Sequence, residues 1–465
     1  MQLGDILDDF TLDVATGGLE ITHVDIDSRD CIPGSLFFAM PGTSTNGAKF
    51  AADAVQRGAL CVVASAPIDV SAPVVVVPST LLNALCAHAS AAVVGHPETK
   101  TRLVAVTGTN GKTSVTSIVG ELARALSWNG ANIGTLTNER TTPAPPELFR
   151  TLASLVEGFD PSVQDSVVAM EVSSHAMSQH RVDGLEFTVA AFTNLSHEHL
   201  DYHGSMEEYF VVKSRLFSPE HCHRAVIWDD DSYGERLAES TALPVTRVSR
   251  RDASDVVTSL TGTTFFWRQH LVNSALLGDY NVDNALIAMT IMSVLGADDA
   301  AVAAAMGEVV PVAGRFDVVR GSHVTVIVDY AHTPEGLRRL LEDVRLLTPG
   351  GRVITVFGCG GDRDRAKRPE MGLVASTYSD VTIVTSDNPR SESPESIIDA
   401  IMSGVVSGAN VVRDVDRRSA IARALKVATP GDVIVVAGKG HETTQTIGDL
   451  VVPFDDRVVA RELMG

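Results

Sequence analysis

Short apolar runs alternate with amphipathic stretches along most of this chain, and the alternation restricts the folds that the chain can adopt. After one such run, apolar residues recur at helical spacing, as Val115, Ile118, Val119, Leu122 and Leu126 do. The apolar runs of the central region occupy residues 101–108, 166–172, 189–195 and 225–228. Because strands that alternate with helices pair in parallel, we predict an α/β fold built on doubly wound, mostly parallel sheets.

Changes in this pattern divide the 465 residues into three predicted domains, 1–98, 99–311 and 312–465. Lengths of roughly 150 residues are typical of single domains. In the third domain amphipathic helices, of which 334–347 is the clearest, separate the predicted strands 324–328, 352–357, 381–385 and 432–437. We expect ligands to bind at the carboxyl ends of these strands.

The composition excludes several classes of protein. The chain is 45% hydrophobic, which indicates folded cores, and its formal net charge of -21 argues against general binding of nucleic acid or anionic membrane. Its five cysteines lie far apart with no CxxC pair, which is typical of reduced thiols. The segment MQLGDILDDF is acidic where a signal peptide is basic, and no apolar run approaches the roughly 20 residues that span a bilayer. We expect a soluble cytoplasmic monomer without membrane insertion.

A glycine-containing loop joins an apolar run to a helical segment at Gly108, Thr109, Asn110, Gly111, Lys112 and Thr113. Backbone N–H groups of such a loop can surround phosphate oxygens, a lysine adds charge and a threonine hydroxyl can reach Mg²⁺. Val106 stands where the generic GxxxxGK[ST] pattern has glycine, so only GxxGKT remains. The pattern therefore indicates a phosphate loop, with a tight strand–helix turn as the alternative.

Two further segments indicate metal or proton chemistry. Glu171 ends the run at 166–172, and Mg²⁺ prefers carboxylate oxygens of this kind. His197, His199 and His203 follow the run at 189–195, and they favour metal binding or proton transfer, with a zinc site or a plain polar loop as alternatives. Lys213 carries no such signal, and its surroundings predict only a solvated surface lysine.

Nine ordered motifs together resemble the Mur ligase family, and in particular its diaminopimelate-adding branch. The resemblance runs from near Asp27-Ser28-Arg29 to Asp455-Asp456-Arg457. The motifs read TGTNGKT, MEVSSH with QHRV, FTNLSxxHLDYHG, GDYNVDN, GRF, DYAHTP, FGCGGDRDRAKRP, DNPR and AGKGHE. The resemblance implies a small N-terminal α/β domain that binds the uridine nucleotide, a central P-loop-type ATPase domain with a parallel sheet, and a C-terminal Rossmann-like domain that binds the amino acid.

The resemblance also implies the reaction and its cofactors, ATP and Mg²⁺. In this family a substrate carboxylate attacks the γ-phosphate of ATP to give an acyl phosphate, and an amine then displaces the phosphate to form an amide. The branch adds meso-diaminopimelate to UDP-N-acetylmuramoyl-L-alanyl-D-glutamate during peptidoglycan precursor synthesis. Phosphoryl transfer of this kind depends mainly on positioning and charge neutralisation.

Site residues follow from the resemblance by position. The residues that it assigns to ATP are Gly108, Thr109, Asn110, Gly111, Lys112, Thr113, Asn281, Asn284 and Arg315. Those assigned to the metal are Thr113, Glu171, His199 and Lys213 as its carbamate, and those assigned to catalysis are Lys112, Lys213 and His199. The UDP-substrate residues are Ser28, Thr141, Thr142, Ser173, Gln179 and Arg181. The diaminopimelate residues are Arg363, Asp387, Asn388, Arg390, Gly438 and Glu442.

Two of these residues distinguish diaminopimelate from lysine, which lacks the distal carboxylate. Arg390 can bind that carboxylate through a bidentate fork, and Glu442 can bind the distal ammonium. The sequence departs from the family at Glu198, where aspartate is usual, and at Thr444, where an aromatic residue is common. Three alternatives stay open: lysine or another amino acid as acceptor, a paralogous ligase outside peptidoglycan synthesis, and a nucleotide-dependent switch, although the guanine motif NKxD is absent from the sequence.

Overall fold

The structure is a computed structural model that describes residues 1–8, 10, 12–42, 46–138, 140–198, 200–321 and 323–465. The chain forms two compact units. The first contains Met1–Gly108, Ala123–Thr193 and Glu207–Arg247, and the second contains Thr109–Leu122, Asn194–Met206 and Val248–Gly465. In the described part of the chain, no helix is both long enough and apolar enough to cross a membrane.

The first unit opens with a four-stranded parallel sheet in the order β1-β2-β3-β4. Both faces of this sheet are buried, because Leu36 and Phe38 join one apolar cluster while Phe37 and Val62 join another. Strands buried on both faces need helices on both sides. The elements are α1 Leu3–Ile6, α2 Val14–Gly17, β1 His23–Asp25, β2 Ser35–Phe38, α3 Ala51–Arg57, β3 Ala59–Ala64, β4 Val74–Val76 and α4 Leu82–Val93.

The central part of the chain contains a six-stranded sheet in the order β10-β9-β8-β5-β7-β6. The strand β5 pairs in parallel with β7 and β8, and Val106 lies opposite Glu171. The phosphate loop therefore starts level with Glu171. The elements are β5 Arg102–Thr107, α5 Lys112–Ala125, β6 Asn129–Ile133, α6 Pro145–Glu157, β7 Ser166–Glu171, α7 Ser174–Ser178, β8 Val189–Phe192, α8 Leu200–His203, α9 Met206–Ser214, β9 Ala225–Trp228, α10 Ser232–Ser240 and β10 Val245–Val248.

The second unit contains a three-stranded antiparallel sheet that the sequence analysis did not predict. Its inner face buries Phe265, Trp267 and Val272, while Phe266 and Leu271 on the other face stay exposed. This alternation is typical of an antiparallel sheet covered on one side only. The elements are β11 Ala253–Ser259, β12 Gly262–Trp267, β13 His270–Ser274, α11 Asp279–Val294 and α12 Asp299–Ala305.

The second unit ends in another six-stranded sheet, in the order β14-β15-β19-β16-β17-β18, with β14 antiparallel at the edge and the other strands parallel. All five residues of β16 and of β19 are buried, as expected for strands covered on both faces. The elements are β14 Asp317–Arg320, β15 Thr325–Asp329, α13 Pro334–Leu347, β16 Val353–Phe357, α14 Lys367–Tyr378, β17 Val381–Val384, α15 Pro394–Met402, β18 Val411–Arg413, α16 Arg417–Val427, β19 Val433–Ala437, β20 Thr444–Ile447, β21 Leu450–Pro453 and α17 Asp456–Met464.

The predicted α/β class is confirmed. The helix predicted at 334–347 has the bounds of α13, because Thr333 caps it, Pro334 starts it and apolar residues recur on its buried face. The eight predicted strands are present, and each strand end lies within three residues of its predicted position.

A fully buried ion pair fixes two loops at the carboxyl edge of this last sheet. Arg417 donates from Nε and Nη2 to the Asp456 carboxylate at 2.8 and 2.7 Å, and both side chains are 0% exposed. The same guanidinium donates to the carbonyl oxygens of Ser386 and Ala437, at 3.3 and 2.9 Å. Those carbonyls directly precede Asp387 and Gly438, so the pair anchors the loops in which both residues lie.

We expect Asp456→Asn to lower the thermal unfolding midpoint of the intact chain by several degrees. Removing one partner of a buried ion pair costs about 3–5 kcal/mol, because the other charge is left uncompensated. Glu462→Gln is the matched control, since the exposed pair Arg418–Glu462 joins the same two helices, α16 and α17, and exposed pairs contribute about 0–1 kcal/mol. Equal shifts for the two variants in scanning calorimetry would contradict the anchoring role.

Candidate active site

The segment after β8 holds the phosphate loop in the second unit. Thr109 N–H donates to the Asn194 carbonyl at 2.9 Å, and Ser196 N–H donates to the Thr109 hydroxyl at 2.9 Å. Asn194 and Asn110 exchange two more hydrogen bonds, of 3.0 and 3.2 Å. Lys112, which begins α5, donates from Nζ to the Thr109 carbonyl at 2.7 Å. The loop is therefore held in one conformation ahead of a helix N-terminus, as phosphate binding requires.

Lys213 is buried in the first unit, so the surface lysine predicted from its surroundings is wrong. Its side chain is 1% exposed, and Nζ donates to the Gly108 carbonyl at 2.9 Å and to the Thr107 hydroxyl at 3.3 Å. The ammonium also lies 4.8 Å from the centroid of the Tyr209 ring. The spacing of Tyr209 and Lys213 places both on the buried face of α9, and this helical spacing is the signal that could have found the lysine.

Glu171 ends β7 as a buried carboxylate, 1% exposed. Its Oε1 accepts from Thr135 N–H at 2.8 Å, and its Oε2 accepts from the Thr135 hydroxyl at 3.4 Å. A side-chain carbon at Gly134 would lie 2.2 Å from Oε1, so only glycine lets the 134–135 turn approach the carboxylate. The neighbouring metal and catalytic prediction, His199, lies outside the described residues. Within the described ranges, no three His, Cys, Asp or Glu side chains gather as a metal site.

The structure brings five of the six predicted UDP-substrate residues together beside Glu171. The Thr142 hydroxyl donates to the Glu171 carbonyl at 2.9 Å and accepts from Ser173 N–H at 3.1 Å. Arg181 donates from Nη1 to the Thr142 carbonyl at 2.7 Å and from Nη2 to Gln179 Oε1 at 2.6 Å.

Of the other two predicted UDP-substrate residues, Thr141 is connected to this group and Ser28 lies elsewhere. Thr141 joins it through Thr135, whose hydroxyl donates to the Thr141 hydroxyl at 3.2 Å. Ser28, the sixth residue, lies instead in the short turn Ser28–Asp30. The group therefore contains Thr141, Thr142, Ser173, Gln179 and Arg181.

Three predicted ATP residues lie in the second unit. Arg315 is in the loop before β14, and Asn281 and Asn284 are on α11. Arg315 donates from Nη2 to the Thr113 hydroxyl at 3.3 Å, across 202 positions of sequence. Asn281 and Asn284 lie on the buried face of α11, where Asn284 Nδ2 donates to Asn281 Oδ1 at 3.1 Å and Asn281 Nδ2 donates to the Leu277 carbonyl. The structure thus links Arg315 to the phosphate loop and the two asparagines to each other.

The predicted amino-acid residues gather at the carboxyl ends of β17 and β19. Asn388 Nδ2 donates to Glu442 Oε2 at 2.7 Å, and the same oxygen accepts from Lys439 Nζ at 3.1 Å. A side-chain carbon at Gly438 would lie 2.5 Å from Asp387 Oδ2, which shows how closely these two loops approach. Burial raises the pKa of Asp387, although the charges of Arg417 and Lys439 act in the opposite direction.

Arg390 is held in a backbone conformation that non-glycine residues rarely adopt, with φ of 50°. Its N–H donates to the Thr446 carbonyl, and its carbonyl accepts from Gly448 N–H, so the β20–β21 turn fixes it. Its Nη1 donates to the Gly361 carbonyl at 2.7 Å, and within the described ranges its guanidinium forms no ion pair with a carboxylate. The half-buried charge of Arg390 is therefore available to an anion.

Arg363, the last of the predicted amino-acid residues, is exposed on the loop after β16. A side-chain carbon at Gly360 would lie 3.0 Å from Arg390 Nη1 and 3.6 Å from Arg363 Cγ, so both arginines flank this glycine. Lys439, whose side chain is 0% exposed, was not predicted as a site residue from the sequence. Its place three residues before Glu442 in AGKGHE was the available signal.

Three protein-family models match consecutive parts of the chain. Residues 20–107 match the model described as Mur ligase family, catalytic domain. Residues 106–292 match the Mur ligase middle domain, and residues 314–440 match the Mur ligase, glutamate ligase domain.

Curated proteins and solved structures agree with these matches. The UDP-N-acetylmuramoyl-L-alanyl-D-glutamate--2,6-diaminopimelate ligase of Gloeobacter violaceus is 42% identical to this chain, over 96% of the chain and 94% of that protein. The ligase of the same name from Geobacillus thermodenitrificans is also 42% identical, over 96% and 95%. A solved structure of a ligase of that name has a TM-score of 0.68 and 31% identity, and covers 100% of this chain and 98% of that chain.

Proposed function

The chain belongs to the Mur ligase family, and from this premise we propose that it adds meso-diaminopimelate to UDP-N-acetylmuramoyl-L-alanyl-D-glutamate with consumption of ATP. The observation that carries the proposal is 42% identity over 96% of the chain to ligases of that name. We assign the uridine nucleotide to residues 1–98, ATP to residues 99–311 and the amino acid to residues 312–465. The product is a peptidoglycan precursor.

The phosphate loop supplies the charge and the donors for ATP. Lys112 adds a positive charge at the N-terminus of α5, where backbone N–H groups and the helix dipole also favour phosphate. Arg315 contacts Thr113 of this loop, which supports a role for its guanidinium in neutralising phosphoryl charge. We propose that Asn281 and Asn284 contact the adenine side of the nucleotide.

The residues near the loop fit Mg²⁺ by their donor chemistry. Glu171 and Thr113 offer the hard oxygen atoms that Mg²⁺ prefers, and Glu171 is a buried carboxylate level with the start of the loop. We propose that Thr113, Glu171, His199 and the carbamate of Lys213 hold the metal. When bound, Mg²⁺ neutralises phosphate charge and orients the reacting phosphoryl group.

The proposed chemistry has two steps. A substrate carboxylate oxygen forms a bond to the γ-phosphorus, the bond to the β–γ bridging oxygen breaks, and ADP leaves. The amine of the acceptor then attacks the carbonyl carbon of the acyl phosphate, and inorganic phosphate leaves as the amide forms and the amine loses a proton. The group of Thr141, Thr142, Ser173, Gln179 and Arg181 is proposed to hold the muramoyl dipeptide.

The acceptor pocket favours diaminopimelate over lysine. The Arg390 guanidinium bonds the Gly361 carbonyl and forms no ion pair with a described carboxylate, so a distal carboxylate would complete the pocket. Lysine would leave this half-buried guanidinium without a partner, at an energetic cost. Glu442 is oriented by Asn388 and Lys439, and we propose that it binds the distal ammonium.

We also propose that the enzyme works as a monomer in the cytoplasm. All five cysteines are buried as free thiols, which suits a reducing compartment. The strongly acidic net charge opposes self-association through like charges.

The direct test of the proposed function is a phosphate-release assay. We expect the pure protein to release phosphate from ATP only when the UDP-muramoyl dipeptide and meso-diaminopimelate are both present. Lysine and other amino acids, added one at a time, serve as controls. Phosphate release that is equal with lysine, or independent of any amino acid, would contradict the assignment.

Arg390→Ala is expected to weaken the use of diaminopimelate by about 10- to 100-fold, mainly through its KM. A charge-assisted hydrogen-bonded pair contributes about 1.5–3 kcal/mol, and the KM for ATP should stay nearly unchanged. Arg390→Lys should recover only part of the loss, because an ammonium cannot form the bidentate contact. Arg365→Ala is the matched control, since Arg365 is 73% exposed and pairs with Glu392. Unchanged selectivity in Arg390→Ala would reassign the acceptor.

Lys213→Ala is expected to be nearly inactive, and short carboxylates such as acetate should restore part of the activity by replacing the proposed carbamate. Sodium chloride at equal ionic strength is the control for a plain salt effect. The alternative is an unmodified lysine that only anchors Thr107 and Gly108. Full activity in Lys213→Ala, or an inactive variant that no carboxylate rescues, would contradict the carbamate.

A further inference from the structure

We propose that Tyr330 is a positioning residue for the ATP step, because the face of its ring holds the Arg315 guanidinium while leaving its charge and N–H groups for phosphate. The inference rests on the proposed function, since it takes Arg315 to act on ATP. Tyr330 belongs to the DYAHTP motif, where the sequence analysis assigned it no role.

Arg315 is half-buried, and its guanidinium contacts an aromatic ring and a hydroxyl group. Its Cζ lies 4.2 Å from the centroid of the Tyr330 ring, and Nη2 donates to the Thr113 hydroxyl at 3.3 Å. Its Nε is buried and has no hydrogen-bond partner, and no carboxylate of the described residues lies within ion-pair distance. An aromatic face attracts a cation without neutralising it, whereas a carboxylate would compete with the phosphates for the same charge.

Asp329 is a carboxylate near Arg315, but its oxygens accept hydrogen bonds from other donors. Its Oδ2 accepts from Phe316 N–H at 2.7 Å and from the Tyr280 hydroxyl at 3.0 Å, and its Oδ1 accepts from Ala331 N–H at 2.7 Å. Asp329 therefore fixes the backbone next to Arg315 and next to Tyr330. The side chains of Arg315 and Tyr330 contact each other.

The ring of Tyr330 is itself fixed by the AGKGHE loop. A side-chain carbon at Gly440 would lie 2.6 Å from Tyr330 Cβ, and one at Gly314 would lie 2.1 Å from the Gly440 carbonyl carbon. Both glycines have positive φ, so the close approach of the three backbones depends on glycine. The Tyr330 ring also packs against His441 at a centroid distance of 5.1 Å.

The ionisation of His441 agrees with a positive charge at this place. Burial, followed by the positive charge of Arg315, lowers the pKa of His441 to about 4. His441 is therefore neutral near pH 7, and the cation beside the ring is Arg315.

The test is a double-mutant cycle on the full-length enzyme. Tyr330→Leu should lower kcat/KM for ATP by about 5- to 30-fold, the effect of losing a desolvated cation–π contact. The KM values for diaminopimelate and for the UDP-muramoyl dipeptide should change less than twofold. Tyr330→Phe is the matched control, because it keeps the ring and should stay within twofold of the wild type. In an Arg315→Ala background, Tyr330→Leu should add less than a twofold effect.

The outcomes separate this inference from the proposed function. An equal loss from Tyr330→Leu with and without Arg315 would show that the ring only packs, and would overturn the inference while the wild-type activity stands. A Tyr330→Leu variant that changes the KM for diaminopimelate and leaves kcat/KM for ATP intact would overturn it too. If Arg315→Ala leaves ATP use unchanged, the role of Arg315 is wrong, and if the wild type releases no phosphate with its proposed substrates, the function is wrong.

Discussion

Burial of the parallel strands on both faces is the constraint on which the rest of this structure depends. Strands such as β16 and β19 have no polar face, so helices must cover each parallel sheet on both sides. The connections between the strands must then return to the same edge of the sheet. The polar chemistry can then lie only at the carboxyl ends of the strands. Glu171 at the end of β7, Asp329 at the end of β15 and Asp387 after β17 all follow this rule.

The buried and half-buried charges near these strand ends fall into two classes. Arg417 and Asp456 are paired inside the protein and hold two loops in place, and Lys439 pairs with Glu442 and orients its carboxylate. Arg390 and Arg315 are held by a carbonyl and by an aromatic ring, which leave the guanidinium charge in place. A charge without an ion-pair partner among the described carboxylates is suited to an anionic ligand, which is the role proposed for both arginines.

The phosphate loop is supported along its length by polar contacts rather than by its glycines alone. Lys213 bonds the Gly108 carbonyl, and Asn194 bonds Thr109 and Asn110. Such support matters because phosphoryl transfer depends on donors that are in place before the charge develops.

The sequence by itself determined the α/β class, eight strands of the two six-stranded sheets, the glycine-containing loop after β5 and the family, because local periodicity or contiguous motifs indicate each of them. The antiparallel β11–β13 sheet was not predicted, because residues along its strands alternate between the buried and the exposed face and form no continuous apolar run. Only the tertiary structure decided that Lys213 is buried and that Arg315 meets Thr113 and Tyr330. Local sequence reports which face of an element is apolar, whereas packing alone decides which residues, up to 202 positions apart, share a hydrogen bond.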